Sequence, residues 1–155
     1  IGCGEAAMRA ASTSFAIVTV LQRQERAFAD LAAKYGLADM LSETLGIGIP
    51  VLALETDREI AIAATIEGSK RVVKRGATSI VFGCTGMLGF AHDVSLQLDG
   101  IKVIDPLPNA IIVAHDAVQN GQKTDKEIYP YPDPKPIAGF DEWRALNALM
   151  RGTKG

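Results

Sequence analysis

The sequence is short of the features that mark several large classes of protein. Its 155 residues include two cysteines and two histidines, too few for a disulfide framework and not at metal-ligand spacing. A net charge of -2 lacks the basic excess that nucleic acids or anionic membranes attract. The longest apolar runs fall well below the roughly 20 residues that cross a bilayer. These absences predict a soluble, cytoplasmic protein without a metal, whose partner is a small molecule rather than a nucleic acid or a membrane.

What the sequence contains is an ordinary globular composition, with 48% apolar and 22% charged residues. That is enough for one domain with a sizeable core. The chain begins at Ile1 without an initiator methionine, and Gly2-Cys3-Gly4-Glu5 reads as the end of a strand that runs into a helix. We therefore expect the natural N-terminus to lie upstream.

Apolar, β-prone runs alternate with helical patterns four times along the chain. The predicted strands are residues 14–20, 50–54, 78–82 and 101–104. The predicted helices between and after them are residues 24–34, 57–76 and 110–119. Such alternation is typical of a parallel sheet covered on both faces. The predicted fold class is therefore α/β, with a parallel four-stranded sheet flanked by helices.

The longest predicted helix has clear boundary signals. Asp57 is a natural N-cap and Gly76 a natural stop. Its apolar face is predicted from Ile60, Ala64, Ile66 and Val73.

The sequence changes character at Lys123. Alternating prolines from residue 129 to residue 136 fix φ and lack a donor, which predicts an extended crossing segment. An amphipathic helix is predicted for residues 141–150, and it needs a surface on which to dock.

One cysteine stands where open α/β sheets bind ligands. Cys84 lies in Gly83-Cys84-Thr85-Gly86, directly after the most strand-like segment and at the opening of a predicted helix. Unpaired N–H groups and the positive end of a helix dipole favour thiolate there, and the glycines let a substrate approach the backbone. The alternative is that Cys84 is a small buried hydrophobic residue.

Other polar residues also fall at or near predicted strand ends, namely Glu5, Thr19, Glu55 and Asp105. Each is equally well explained as a helix cap or a solvated turn. Cys3 reads more readily as a packing residue beside a glycine turn than as a second cleft thiol. Phosphate-loop and Ser-His-Asp patterns are missing, because the chain has neither a spaced glycine fingerprint nor a Gly-x-Ser-x-Gly elbow.

Blocks in order along the whole chain resemble the aspartate/glutamate/hydantoin racemases, and within that family the hydantoin and allantoin racemases. The strongest block is Ile80-Val81-Phe82-Gly83-Cys84-Thr85-Gly86-Met87. The other blocks are residues 2–7, 15–19, 21–23, 50–55, 103–105 and 131–136.

The resemblance implies two similar α/β lobes with an active site between them and no cofactor. One thiol from each lobe faces the stereocentre, so that one removes the α-proton while the other delivers a proton to the opposite face. Cys84 takes the second-lobe role, with a substrate-binding site of Gly83, Thr85, Gly86, Thr19 and Glu5. The N–H groups of Thr85 and Gly86 would stabilise charge on the substrate oxygen.

The resemblance also divides the chain into regions. Residues 1–13 would be the end of the first lobe and a crossover, residues 14–122 the second lobe, and residues 123–155 a crossing segment and helix that return to the first lobe. The family's first-lobe cysteine lies upstream of the block matched by residues 1–7, so its role is not transferred to Cys3. We expect the apolar surface left by a missing lobe to be covered, which predicts a homo-oligomer.

Four alternatives stay open on the sequence alone. Decarboxylation of a malonate-type acid and isomerisation of maleate use the same second-lobe cysteine within the superfamily. A non-catalytic binding module would keep the fold without the paired thiol. A flavodoxin-like nucleotide domain is the last, and it predicts flavin or nucleotide absorbance.

Overall fold

The computed structural model describes residues 3–11 and 14–130, which form four strands and six α-helices. Short 3-10 turns at Gln22–Gln24, Ala38–Met40 and Thr85–Met87 lie between them. In chain order the elements are α1 (Cys3–Arg9), β1 (Phe15–Thr19), α2 (Glu25–Lys34), β2 (Leu41–Gly46), α3 (Ala53–Thr56), α4 (Arg58–Lys74), β3 (Ser79–Phe82), α5 (Phe90–Ser95), β4 (Lys102–Ile104) and α6 (Pro106–Gln119).

The four strands form one parallel sheet in the order β2-β1-β3-β4. β1 is central, with Ala16 opposite Glu43 of β2 on one side and Ile80 of β3 on the other. All five residues of β1 and all four of β3 are buried, as expected for inner strands covered on both faces. The predicted α/β class with a four-stranded parallel sheet is confirmed.

Alternate residues of the inner strands supply two separate cores. On one face Val18 and Phe82 pack with α4 and α5. On the other face Ile17 and Val81 pack with residues of α1 and α2. The sheet is therefore enclosed between two helical layers.

Most predicted element bounds are correct, although Asp57 lies at the N-cap position of α4 without a capping hydrogen bond and its carboxylate instead accepts from the Thr56 hydroxyl at 2.8 Å. β1, β3, β4, α2 and α4 begin and end within one or two residues of their predicted bounds. Asp105 caps α6 by accepting a hydrogen bond from the Leu107 N–H at 2.9 Å, with Pro106 in the first turn, so this helix begins four residues before its predicted start.

The second strand was predicted in the wrong place. β2 is Leu41–Gly46, whereas the apolar run at residues 50–54 forms a turn and the start of α3. Gly48 adopts a φ of +78° and Pro50 lacks a donor, so the chain leaves the sheet before that run. β2 is an edge strand with only partial burial. Because it mixes polar and apolar residues, it lacks the continuous apolar run on which the strand predictions were based.

Two further predictions are wrong. Cys3 and Glu5 lie in helix α1 rather than at a strand end, and Glu55 lies in helix α3. In α4 the predicted apolar face is displaced, because Ile60 is 64% exposed. The buried side of α4 consists mainly of small residues that allow close approach to the sheet, Ala61, Thr65, Gly68, Ser69 and Val72.

The chain divides into two compact units, Ile1–Gly121 and Gln122–Gly155. In the described start of the second unit, Asp125 accepts hydrogen bonds from the N–H groups of Glu127 and Ile128. The predicted helix at residues 141–150 and most of the predicted proline-rich segment lie outside the described residues. Over residues 3–11 and 14–130, none of the helices combines the length and apolarity needed to span a membrane.

Candidate functional site

The carboxyl ends of the parallel strands meet at one edge of the sheet. The chain leaves β1 toward β2 on one side and returns to β3 on the other, so the strand order reverses between β1 and β3. In open α/β sheets, ligands bind in the crevice at such a switch point. Thr19 ends β1 there, and Cys84 follows β3 by two residues.

Cys84 lies on a tight loop immediately beyond the sheet. The Gly83 N–H donates to the Val18 carbonyl at 2.8 Å, which extends the pairing of β1 with β3 by one residue. Cys84 itself is extended, partly buried and a free thiol. The Met87 N–H then donates to the Cys84 carbonyl at 3.1 Å and closes the 3-10 turn.

The helix predicted to open at Cys84 is therefore a single 3-10 turn, and α5 begins only at Phe90. Leu88 has a non-helical ψ of 129° and Gly89 has a φ of +82°, which interrupts the helical path between the 3-10 turn and α5. The expected support of a thiolate by a full helix dipole at Cys84 is wrong, because a helix macrodipole needs many aligned peptides.

Glycines on either side of Cys84 are required by space. A Cβ on Gly83 would lie 2.7 Å from the Thr19 Cβ and 3.0 Å from Phe28 Cε2. A Cβ on Gly86 would lie 2.9 Å from Leu54 Cδ1 and 3.5 Å from the Cys84 sulfur. The thiol thus lies beside the bare backbone of Gly86, where a small molecule can approach both.

The far end of the loop is held by two charged residues. The Asp105 carboxylate that caps α6 also accepts from the Gly89 N–H at 3.4 Å. The Arg58 guanidinium lies 4.7 Å from the centre of the Phe90 ring, a cation–π geometry, and its Nη2 lies against Gly89. Loop and neighbouring helices are therefore tied together at Gly89.

The other polar residues predicted for the site have different surroundings. Thr19 is fully buried, and its hydroxyl donates to Gln24 Oε1 at 3.2 Å while its side chain packs against Gly83. Glu5 forms an ion pair with Arg9 at 2.8 Å on the same helix. The structure thus brings Thr19, Gly83, Thr85 and Gly86 together around Cys84 and gives Glu5 a partner on α1.

Several residues that contact the Cys84 loop were not predicted from the sequence as part of the site. Phe28 and Leu54 pack against Gly83 and Gly86, and Arg58 supports Gly89, yet they come from three different helices. The contact of Leu54 with Gly86 could not be predicted, because residues 50–54 were assigned to a strand. Phe28 and Arg58 lie on correctly predicted helices, but helix prediction alone does not say what they contact.

A cleft of about 450 Å³ opens at the same edge between the ends of β1 and β2. Its lining residues are Leu21, Gln22, Arg23, Pro50 and Val51, and we call it the β1–β2 cleft. Its two walls are fixed to each other, since the Gly46 N–H donates to Glu25 Oε1 at 2.8 Å and a Cβ on Gly46 would collide with the backbone of Leu21 and Gln22.

Metal-binding residues are dispersed across the described part of the chain. No group of three or more histidine, cysteine, aspartate or glutamate side chains there is arranged to hold an ion. The side chains at this edge include the Cys84 thiol, the Asp105 and Glu25 carboxylates and the Arg58 guanidinium.

Comparison with known proteins gives a consistent answer. The model of the Asp/Glu/Hydantoin racemase family matches residues 1–114. A hydantoin racemase of Paenarthrobacter aurescens is 35% identical over 130 residues, which cover 81% of this chain and 55% of that protein. A hydantoin racemase of Pseudomonas sp. (strain NS671) is 33% identical over 144 residues, which cover 90% and 57%.

Solved structures agree with these relatives. An allantoin racemase from Klebsiella pneumoniae matches with a TM-score of 0.73 and 33% identity, over 92% of this chain and 60% of that one. An allantoin racemase from Pseudomonas fluorescens matches with a TM-score of 0.71 and 28% identity, over 88% and 60%. The chain spans somewhat more than half the length of the relatives it matches. On the strength of the family match, the racemase relatives and the shared fold, this chain belongs to the Asp/Glu/hydantoin racemase family.

Proposed function

We propose that the chain supplies one half of a cofactor-independent racemase site, acting on a hydantoin or amino-acid-like substrate. The Cys84 thiolate removes the proton on a carbon next to a carbonyl, or the Cys84 thiol returns one. The observation that carries this proposal is the position of Cys84, a free and partly exposed thiol at the switch point of the sheet.

The proposed step is a single proton transfer. As the thiolate of Cys84 takes the proton, an S–H bond forms, the C–H bond breaks, and the electron pair moves onto the carbonyl oxygen. The first N–H groups of a helical turn have no acceptor within the turn. In the 3-10 turn after Cys84 these belong to Thr85 and Gly86, and we assign them to the developing negative oxygen.

The neighbours of Cys84 have supporting roles in this proposal. Gly83 allows Thr19 and Phe28 to pack directly against the backbone before Cys84, and the exposed Gly86 allows a flat ring to approach the backbone beside the thiol. Thr19 acts indirectly, since its buried side chain fixes Gly83. Substrate contact by Glu5 stays a prediction, because its observed partner is Arg9.

Racemisation needs a second proton-transfer group on the opposite face of the stereocentre. The relatives extend well beyond the part that this chain matches. We propose that the opposing group is a second thiol, supplied by the part of the whole protein that corresponds to the rest of those relatives. A free thiol at Cys84 suits the reducing cytoplasm that we propose as its location.

Self-association is part of the same proposal. Large apolar side chains are exposed both beside the site, at Leu52 (83%) and Leu88 (50%), and on α6, at Ile111 and Val118. Such surface is normally covered by a partner. We expect sedimentation velocity to show an assembly that dissociates on dilution, and a well-folded monomer at every concentration would contradict it.

The reaction is tested by proton exchange in heavy water. The full chain is incubated with a panel of hydantoins and amino acids, and NMR follows the α-proton signal with the wild type, Cys84→Ala and Cys84→Ser. We expect exchange with the wild type and a loss of at least about 100-fold in both variants, the usual contribution of a general acid–base group.

Other outcomes separate the alternatives. Loss of a carboxylate from malonate-type acids, or conversion of maleate, would replace racemisation by the corresponding reaction of the same thiol. A folded wild-type chain that exchanges no substrate would contradict the proposed chemistry of this half-site.

A further inference from the structure

The β1–β2 cleft lies next to the Cys84 loop without being part of it. Adjacent strands lie about 4.8 Å apart. The ends of β1 and β2 are one and two strands away from β3, on the same side. At that spacing the cleft lies roughly 7 Å to the side of β3, a separation that a substituent of a few atoms would span.

The cleft is a depression open to solvent, with room for a small substituent. Its volume of about 450 Å³ falls in the range of roughly 300–1,000 Å³ typical of ligand pockets. Leu21 packs against the core cluster that also contacts Cys84, so this part of the lining is fixed. Pro50 and Val51 provide the apolar part of the opposite wall.

Two polar side chains give the cleft a chemical preference. The amide Nε2 of Gln22 lies 3.7 Å from the point that a Cβ on Gly48 would occupy, so this side chain reaches from the loop after β1 to the loop after β2. Within the described ranges, neither the Gln22 amide nor the Arg23 guanidinium is engaged by another group. Both are therefore available to donate hydrogen bonds to a ligand.

We infer that the β1–β2 cleft binds the substituent on the substrate's stereocentre and selects one with an apolar stem and a terminal carbonyl or carboxylate. The stem packs on Leu21, Pro50 and Val51, and the terminal oxygen accepts from Arg23 and Gln22. This inference rests on the proposed function, because it assigns the specificity of the same site. Arg23 and Gln22 are specificity-determining residues in it and have no part in proton transfer.

The test compares three hydantoins that share a ring and nearly share a shape. Their 5-substituents are 2-carboxyethyl, 2-carbamoylethyl and 3-methylbutyl, so only the terminal group changes. Each is titrated into the ¹⁵N-labelled full chain, and amide shifts give the dissociation constant. The amides of Gly48 and Val51 report on the cleft, and those of Thr85 and Gly86 report on the ring at the Cys84 loop.

Arg23→Met is the main variant, because it keeps an unbranched apolar stem and removes the charge. We expect it to weaken binding of the carboxyethyl compound by about three- to tenfold, as for an exposed charge-assisted hydrogen bond. The carbamoyl compound should lose less, and the 3-methylbutyl compound should bind unchanged. Arg26→Met is the matched control, since Arg26 pairs with Asp30 outside the cleft and should alter none of the three affinities.

The experiment distinguishes a failure of the cleft assignment from a failure of the proposed function. If the three compounds shift Thr85 and Gly86 but bind wild type and Arg23→Met equally, the cleft assignment is overturned and the proposed function stands. If Arg23→Met weakens all three compounds alike, the cleft assignment is overturned as well, because the effect does not depend on the terminal group. If none of the hydantoins shifts Thr85 or Gly86, the proposed function falls and this inference falls with it.

Discussion

The loops after β2 and after β3 lie at the same edge of one sheet but are built differently. The loop after β3 carries Cys84 between glycines with no room for a side chain and is anchored at Gly89 by Asp105. The loop after β2 is tied to the end of β1 as far as Ile49, whose N–H donates to the Val20 carbonyl at 3.1 Å, and then exposes Val51 (49%) and Leu52 (83%) to solvent.

The difference in packing matches the different roles proposed for the two loops. Proton transfer needs a thiol held in one position, which a tightly packed backbone loop provides. Substrate selection needs side chains that can differ without disturbing the fold, which an exposed loop permits. Substitutions in the two loops should therefore differ strongly in their effect on stability.

The largest stability effect is expected for Gly83→Ala. The new Cβ would press on the Thr19 Cβ and on Phe28, both of which lie within 3.0 Å of it. Such overpacking typically destabilises by about 1–3 kcal/mol. Urea unfolding should show this loss, while Gly4→Ala in α1, whose nearest neighbour would be Leu31 Cδ2 at 3.4 Å, should be neutral or slightly stabilising because alanine favours a helix. Equal stability of Gly83→Ala and wild type would break the comparison.

A smaller effect is expected for Asp105→Ala, which removes the cap of α6 and the acceptor for the Gly89 N–H. Loss of an N-cap costs about 1 kcal/mol. Asp105→Asn is the matched control, because asparagine caps nearly as well and keeps an acceptor oxygen. Unfolding in urea should therefore order the proteins as wild type, Asn variant and Ala variant, and an Ala variant as stable as the Asn variant would show that Asp105 does not anchor the loop.

The smallest effect is expected for Leu52→Ser in the loop after β2. A side chain that is 83% exposed contributes little burial, so the free energy of unfolding should change by less than about 0.5 kcal/mol. The same urea experiment measures it. A loss comparable to that of Gly83→Ala would show that this loop is as tightly built as the loop after β3.

The sequence was sufficient to predict an element where neighbouring residues along the chain determine it. β3 is a run of buried β-prone residues, and Gly76 before it ends a helix, so both were readable. β2 was not, because an edge strand has one partner and mixed burial, while the more apolar run at residues 50–54 lies in a turn and a short helix.

The site follows the same rule. The position of Cys84 just beyond β3 was predicted because its neighbours along the chain mark a strand end, whereas its role in the reaction stays a prediction. Its surroundings were not, because Phe28, Leu54 and Arg58 approach the loop through tertiary packing of separate helices. The β1–β2 cleft likewise depends on the true position of β2.

The central claim is that the Cys84 thiol transfers the substrate proton, and partial alkylation tests it most directly. Samples of the Cys3→Ser variant are treated with iodoacetamide for increasing times. Peptide mass spectrometry then gives the fraction of Cys84 modified, and NMR in heavy water gives the rate of α-proton exchange on the same samples. If Cys84 transfers the proton, the exchange rate falls in direct proportion to the alkylated fraction and reaches zero when alkylation is complete. Exchange that persists after complete alkylation of Cys84 would contradict it.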